Sequence, residues 1–343
     1  MKSYKGKKVV LFYSSVQDKK LFSIQGFYKT DISILKDLGY TVVTSNRIRD
    51  FLHFRKYDIA FLYFYRYGLF SAILAKLFGK QVIFTGGIDN LAREYASRKN
   101  YFIQKHFFRF CNLFSDVSLI VSTADQENIK QIYAGRLPKN NLLCFHSIDT
   151  ERLKYIPNIP KKNVFLTIAW MTKAENVYRK GILRSIRVFK ELTAYMPEYT
   201  FYIIGPLGEG SDIAMQLIEK SGLEDKVFFT GTISEAEKIN YLKTSKYYFQ
   251  LSEYEGFGIA ATEALMAGNI VIHSGKGGLK DAVGNHGICI ENIEDYPAIA
   301  RQIYNHSSTL NGKQHIEEGI QYVEKNFSYS NRKNTISKIL RRL

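Results

Sequence analysis

The stretch Ser252–Gly268, "SEYEGFGIAATEALMAG", decides the reading of the fold. Just before it, "KYYFQLS" is an apolar and aromatic run of strand length. "EYEGFG" then turns the chain, with Gly256 and Gly258 free to take backbone angles that other residues avoid. "IAATEALMA" reads as a helix capped by Gly268, and "NIVIH" is the next strand. Strand, glycine turn, helix and strand make one βαβ unit of a parallel sheet. The helix is apolar except for Thr262 and Glu263, and Glu255 stands eight residues earlier on the turn. A carboxylate among apolar neighbours is costly unless something pairs with it.

The same rhythm extends in both directions. "KVVLFY", "YTVVTS", "DIAFLYF", "QVIFT", "DVSLIVS" and "NLLCF" read as strands in the first half. "VFLTIAW", "TFYIIG", "KVFFTG", "KYYFQLS", "NIVIH" and "GICI" do so in the second. Nearly continuous apolar runs of this kind are strands buried on both faces. The segment "KYIPNIPKKN" holds two of the six prolines and reads as a linker. The expected fold class is therefore α/β, with two Rossmann-like, doubly wound domains and a cleft between them. The expected domains are 1–155, 156–325 and a C-terminal helix, 326–343, that packs back on the first. The chain's 343 residues exceed what one core usually serves.

Composition narrows the setting. Three widely spaced cysteines and no C-x-x-C pair argue against a disulfide framework or a zinc site, so a reducing cytosol fits best. The N-terminal apolar run is only strand-length, so no secretory signal is expected, and Arg66 and Lys76 interrupt the longest apolar region. Of the net charge of +16, residues 1–150 carry +12 (23 Lys and Arg against 11 Asp and Glu). Such an excess points to an anionic surface, lipid or nucleic acid.

The glycine turn leading into a helix is an anion site, because bare amides and the helix dipole face whatever lies beyond the strand ends. Carboxylates on either side of it suit a ligand with hydroxyls at both ends and phosphate between, the layout of a nucleotide sugar. The plainer alternative makes Glu263 helix decoration and Glu255 a solvated loop acid.

"EYEGFGIAATEALMAGNIVIHSGKGGLKDAV" resembles the E-x7-E signature of the family 4 retaining glycosyltransferases, which have the GT-B fold. The resemblance is strong over about residues 160–290. It implies that Glu255 contacts the donor sugar and Glu263 the ribose, with Gly256 and the amides of Phe257, Gly258 and Ile259 facing sugar and diphosphate. Lys180-Gly181 looks like the family's K-G at a helix start, which makes Lys180 the diphosphate-neutralising cation. Where members carry an arginine after the preceding strand, this chain reads Ala169-Trp170-Met171. Arg179, ahead of Lys173, is the candidate to replace it. Gly231 and Thr232 fall where the family's backbone meets the nucleobase. In the first half, Gly26 matches the glycine-containing first loop. "TGGIDNL" puts Gly87 and Asp89 where many members have a histidine; Asp89 either takes that place or caps the next helix.

The resemblance thus implies a retaining transferase acting on a UDP- or GDP-sugar donor and a glycan or lipid-linked sugar acceptor. No Asp-x-Asp occurs, so no metal and no other cofactor is expected. Catalytic roles fall to Glu255, Lys180 and Asp89. A sugar-nucleotide epimerase and a non-catalytic sugar-nucleotide-binding subunit stay open as rivals. No nucleic-acid-binding motif is present. "REYASRKNYFIQKHFFRFCNLF" has no acid between Glu94 and Asp116. On a helical wheel Ile103, Phe107, Phe110 and Phe114 form the expected docking stripe, opposite Arg98, Lys105 and Arg109. That pattern suits the anionic inner face of a cytoplasmic membrane, where cell-surface polysaccharide or lipopolysaccharide is assembled.

Overall fold

Among the described residues, twelve strands form where the twelve apolar runs predict them, and they pair in two parallel sheets. The structure, a computed structural model, describes residues 7–309 and 312–343. The first sheet contains β1 (Val9–Tyr13), β2 (Thr41–Ser45), β3 (Ile59–Tyr63), β4 (Gln81–Thr85), β5 (Val117–Ile120) and β6 (Asn141–Leu143), in the order β2-β1-β3-β4-β5-β6. The second contains β7 (Lys162–Ile168), β8 (Thr200–Ile204), β9 (Val227–Gly231), β10 (Ser245–Gln250), β11 (Ile270–His273) and β12 (Ile288–Cys289), in the order β12-β11-β10-β7-β8-β9. Parallel pairing demands crossovers, and helices supply them. In the first half these are α1 (Leu21–Ile24), α2 (Gly26–Asp37), α3 (Tyr65–Leu77), α4 (Arg98–Leu113) and α5 (Thr123–Ile132), and the short α6 (Thr150–Leu153) stands between the last strand of one sheet and the first of the other. In the second they are α7 (Ala174–Arg179), α8 (Ile182–Leu192), α9 (Glu209–Ser221), α10 (Glu235–Thr244), α11 (Ile259–Met266) and α12 (Leu279–Val283), and α13 (Tyr296–Thr309), α14 (Gly312–Phe327) and α15 (Tyr329–Leu340) follow the last strand.

The chain divides into two units. One runs to Ile148 and takes back Phe327–Leu343; the other is Asp149–Asn326. The boundary falls before the proline segment, not after Tyr155, and residues 149–155 go with the second unit. Their own contacts show why. Asp149 caps α6, accepting from Arg152 N at 3.0 Å, Leu153 is buried, and the Tyr155 ring fills the space beside Gly268.

In the first unit, α3, α4 and α5 cover one face of the sheet through Ala72, Phe108, Cys111 and Ile129. Helices α2 and α15 cover the other through Ile34, Leu35, Ile336 and Ile339. A buried charge cluster locks α15 in place. The Arg332 guanidinium donates to both Asp31 oxygens at 2.5 and 2.7 Å, and to the carbonyls of Cys144 and Phe145 at 2.9 and 2.6 Å. Tyr63 also donates to Asp31, at 2.5 Å. These bonds compensate for taking both charges out of water.

Helix α4 docks by a different side from the one its helical wheel predicts. Gln104, Phe108 and Cys111 face inward, and Phe110 is exposed. The aromatic residues are spread around this helix, so polarity alone does not choose the inner face. Contacts with α3 choose it: the rings of Tyr65 and Phe108 lie 4.8 Å apart, and the Cys111 thiol donates to the Tyr65 carbonyl at 2.8 Å.

Candidate functional site

The site residues of the second unit gather beyond the C-terminal ends of its strands, where parallel sheets present their loops to ligands. Two glycine-dependent turns bring them together. Gly181 has φ +69° and starts α8, and a Cβ there would overlap the carbonyl of Leu251. Only glycine lets the "KG" turn lie against the chain leaving β10. Gly258, at φ +110°, starts α11 and abuts Leu279. The turn 255–258 also lies against the "GKGG" loop, with Gly278 N donating to the Glu255 carbonyl at 2.7 Å.

The "KG" turn sets Lys180 on Glu255. Its ammonium donates to both carboxylate oxygens at 2.7 Å. Ser252 Oγ donates to Oε1 at 2.8 Å, and Gln250 Nε2 donates to the same oxygen at 3.0 Å. Burial alone would raise this carboxyl's pKa, but Lys180, helped by Arg179 and Ser252, holds it below the ordinary glutamate value. Arg179, half-exposed at the end of α7, accepts Glu253 N on its carbonyl at 2.9 Å. Its guanidinium adds positive field to Glu255 without touching it.

Glu263 has its own lysine. Lys238, on α10, donates to its two oxygens at 3.1 and 3.0 Å and also pairs with Glu235 at 3.0 Å. Here burial outweighs the lysine, and the carboxyl's pKa is raised. Between the two acids lies Tyr248, buried in β10, whose hydroxyl is pushed up by burial and then by both carboxylates. That hydroxyl accepts Ile168 N at 3.2 Å and donates to Gln250 at 3.3 Å, which joins it to the Glu255 network. Sequence reasoning misses Lys238, Tyr248, Gln250 and Ser252. A signal exists for Lys238: the S-x-x-E capping box of Ser234 and Glu237 starts its helix, and Glu235 precedes it by three residues.

The remaining second-unit candidates fall close by in the chain. Phe257 is buried and Ile259 half-buried at the start of α11, whose first turn has no acid and whose Gly258 offers no side-chain cap. The helix's opening amides are thus the kind that accept an anion. Gly256 forms the turn itself, half-buried. Gly231 ends β9 at φ +68°, and Thr232 beside it is exposed. Glycines 205, 208 and 210 each lie against the backbone of residues 169–173. Trp170 in that segment is exposed.

Gly26, Gly87 and Asp89 belong to the first unit, beyond the ends of β1 and β4. Gly26 opens α2, and a Cβ there would meet nothing within 4 Å. Asp89 begins a 3-10 turn, Asp89–Leu91, whose N-cap position is Ile88, and the next α-helix, α4, is capped by Ser97. Neither of these N-cap positions is Asp89. Among the described residues, no group of three or more His, Cys, Asp or Glu side chains is placed to hold a metal ion.

Residues 149–308, inside the second unit, match the family model for glycosyl transferases group 1. The GDP-mannose:cellobiosyl-diphosphopolyprenol alpha-mannosyltransferase of Xanthomonas campestris is 26% identical over 243 residues, 68% of this chain and 58% of that protein. A phosphatidylinositol N-acetylglucosaminyltransferase subunit of Arabidopsis thaliana is 24% identical over 61% of this chain and 45% of its own length. The chain thus spans about half the length of these relatives. Among solved structures, Anabaena Alr3699/HepE in complex with UDP and glucose aligns over 98% of this chain and all of its own, with TM-score 0.76 at 16% identity. Sucrose-phosphate synthase from Thermosynechococcus elongatus aligns over 98% of each chain, with TM-score 0.73 at 14% identity. The two six-stranded parallel sheets with flanking helices are those of the GT-B glycosyltransferase fold.

Proposed function

We propose that the protein is a retaining, metal-independent glycosyltransferase. It moves a hexose-type sugar from a UDP- or GDP-sugar to a hydroxyl of a glycan or lipid-linked acceptor, in bacterial cell-surface polysaccharide or lipopolysaccharide assembly at the inner face of the cytoplasmic membrane. One observation carries this reading: two carboxylate–lysine couples, Glu255–Lys180 and Glu263–Lys238, border the start of α11, where Gly258 supplies no side-chain cap, at the ends of the second sheet's strands. A relative named for GDP-mannose and a diphosphopolyprenol acceptor, and a fold relative in complex with UDP and glucose, support it.

The couples suit a ligand that carries its own charge and hydroxyls. Donor hydroxyls replace lysine N–H groups on the carboxylates, the sugar at Glu255 and the ribose at Glu263. Lys180, released from Glu255, turns to the diphosphate with Arg179 beside it. The α11 amides of Phe257, Gly258 and Ile259 complete the anion site, and the backbone at Gly231 and Thr232 meets the base. As the sugar–phosphate bond breaks, negative charge grows on the leaving diphosphate, where a pre-positioned ammonium and amides lower the barrier most. Asp89 belongs to the acceptor side of this scheme, with Gly26 and Gly87.

The Ala169-Trp170-Met171 segment, which lacks the family's arginine, favours the rival reading of a binding protein without chemistry. Melting shifts with UDP- and GDP-sugars, followed by product analysis with radiolabelled donor, separate the two. Wild type is expected to be stabilised by one nucleotide class and to hydrolyse or transfer its sugar. Glu255→Gln should lower turnover roughly 100-fold, the scale of one lost transition-state contact, while still binding nucleotide. A donor that binds but is never cleaved would sink the transferase reading.

A further inference from the structure

We infer that the outward faces of α3 and α4 form one surface that seats the first unit on an anionic lipid bilayer. It deepens the membrane part of the proposed function and rests on that reading only for what the acceptor is. The surface differs from the one the helical wheel gives, because α4 is turned so that aromatic residues point out.

On α3, Tyr67, Phe70 and Leu77 are each more than half exposed; on α4, Phe102, Phe110 and Leu113 are as well. The spacings 67, 70, 77 and 102, 110, 113 place each trio on one side of its helix. The two helices pack side by side on the same face of the sheet, joined through Tyr65, Phe108 and Cys111. Arg66 bridges their outer surfaces, with its guanidinium 5.9 Å from the Tyr67 ring and 6.0 Å from the Phe107 ring. Six large apolar side chains left in water on adjacent helices are more than scattered surface hydrophobes.

Charge selects the occupant. Residues 59–88 and 95–115 contain no acid, and between 59 and 115 eight Lys and Arg stand against Asp89 and Glu94. Lys76 is paired with Asp116 and the Arg109 guanidinium donates to the Ile132 carbonyl, but Arg66, Arg98 and Lys99 are exposed at the surface. A hollow of about 630 Å³ beside α4 is lined by Phe110 and Leu113 on one side and by polar groups on the other, among them Arg109, His106, Asn112 and Asn140. A second copy of the same face would bring like charges together. An anionic bilayer accepts both halves of the pattern: side chains enter the acyl boundary while arginine and lysine meet headgroup phosphates. Among the described residues no helix is long and apolar enough to cross a membrane, so the contact lies on one leaflet.

The test is co-sedimentation of the full chain with phosphatidylcholine vesicles, with and without phosphatidylglycerol, at low and high salt. Binding is expected only with phosphatidylglycerol, and it should weaken as salt screens the charges. One variant replaces Phe70, Phe102, Phe110 and Leu113 by serine; a second carries Arg98→Glu and Lys99→Glu. Each should lower the partition coefficient roughly tenfold or more, with melting temperature and nucleotide binding unchanged. Absence of wild-type binding overturns the inference, as does equal binding by both variants. It also falls if wild type dimerises with rising concentration and the serine variant does not, because the face would then cover a second copy. Donor turnover in vesicle-free solution is scored separately, so failure here leaves the transfer chemistry standing, and the reverse.

Discussion

Each unit hides ion pairs, and they are built to opposite ends. In the first, Asp31 and Arg332 have side chains 0% and 1% exposed, and the arginine's fork is filled by the carboxylate and two carbonyls. In the second, Glu255 and Lys180 keep 10% and 24% exposure, and Glu263 and Lys238 keep 15% and 18%. The first cluster uses arginine, whose rigid guanidinium fixes geometry; the second uses lysines, point charges on flexible stems that re-aim at little cost. A closed, saturated pair is a fastener. On the proposed function, a less buried lysine–glutamate pair is a place-holder that a ligand's own groups displace.

The largest effect should come from breaking the fastener. Arg332→Ala leaves Asp31 buried without its partner, at a cost of about 3–5 kcal/mol. Urea unfolding measures it, and the double variant Asp31→Leu with Arg332→Met should recover much of the loss. A small loss in the single variant would erase the distinction between the clusters.

Acid comes next, and it reaches both units. Burial holds His146 near a pKa of about 3, with Arg332 adding to the depression, and holds His273 near about 4. Both ring nitrogens of His273 lack a hydrogen-bond partner among the described residues. A histidine depressed in the folded state favours unfolding once the unfolded chain can protonate. Stability is therefore full above about pH 6.5 and is lost as pH falls toward those values, by about 2 kcal/mol per histidine between pH 7 and 5. Melting curves of His146→Gln and His273→Gln, compared across that window, assign each share. Curves parallel to wild type would remove these residues from the account.

The smallest effect sharpens the place-holder side. Glu263→Gln removes a carboxyl whose pKa burial already raises, and Lys238 retains Glu235. Stability should hardly change, while nucleotide-sugar affinity falls about tenfold, or ~1.4 kcal/mol. Calorimetry with the donor found by melting shift reads this. A stability loss as large as that of Arg332→Ala would make Glu263 structural.

Much of the fold is legible in the sequence because parallel strands buried on both faces must be apolar nearly throughout, as "QVIFT" and "NIVIH" are. Glu263 is legible because a charge on so apolar a helix has few explanations, and Glu255 because it stands on the glycine turn that leads into that helix. Their lysines are harder to place. Lys180 reads as a phosphate ligand, but its contact with Glu255 spans 75 residues and depends on how closely Gly181 approaches Leu251. Lys238 meets Glu263 from a helix that the local pattern gives no reason to set there. The inner face of α4 escapes the helical wheel because its aromatic residues leave more than one side apolar, and Tyr65 breaks the tie.

Arg332 also fixes an order of assembly. It lies 301 residues after Asp31, with the whole second unit between them. During synthesis, strands β1 to β6 emerge first, with Tyr63 and α2 already at hand, but Asp31 lacks its arginine and the sheet face lacks α15 until the last residues follow the whole contiguous second unit. The part of the protein made first is therefore the part finished last.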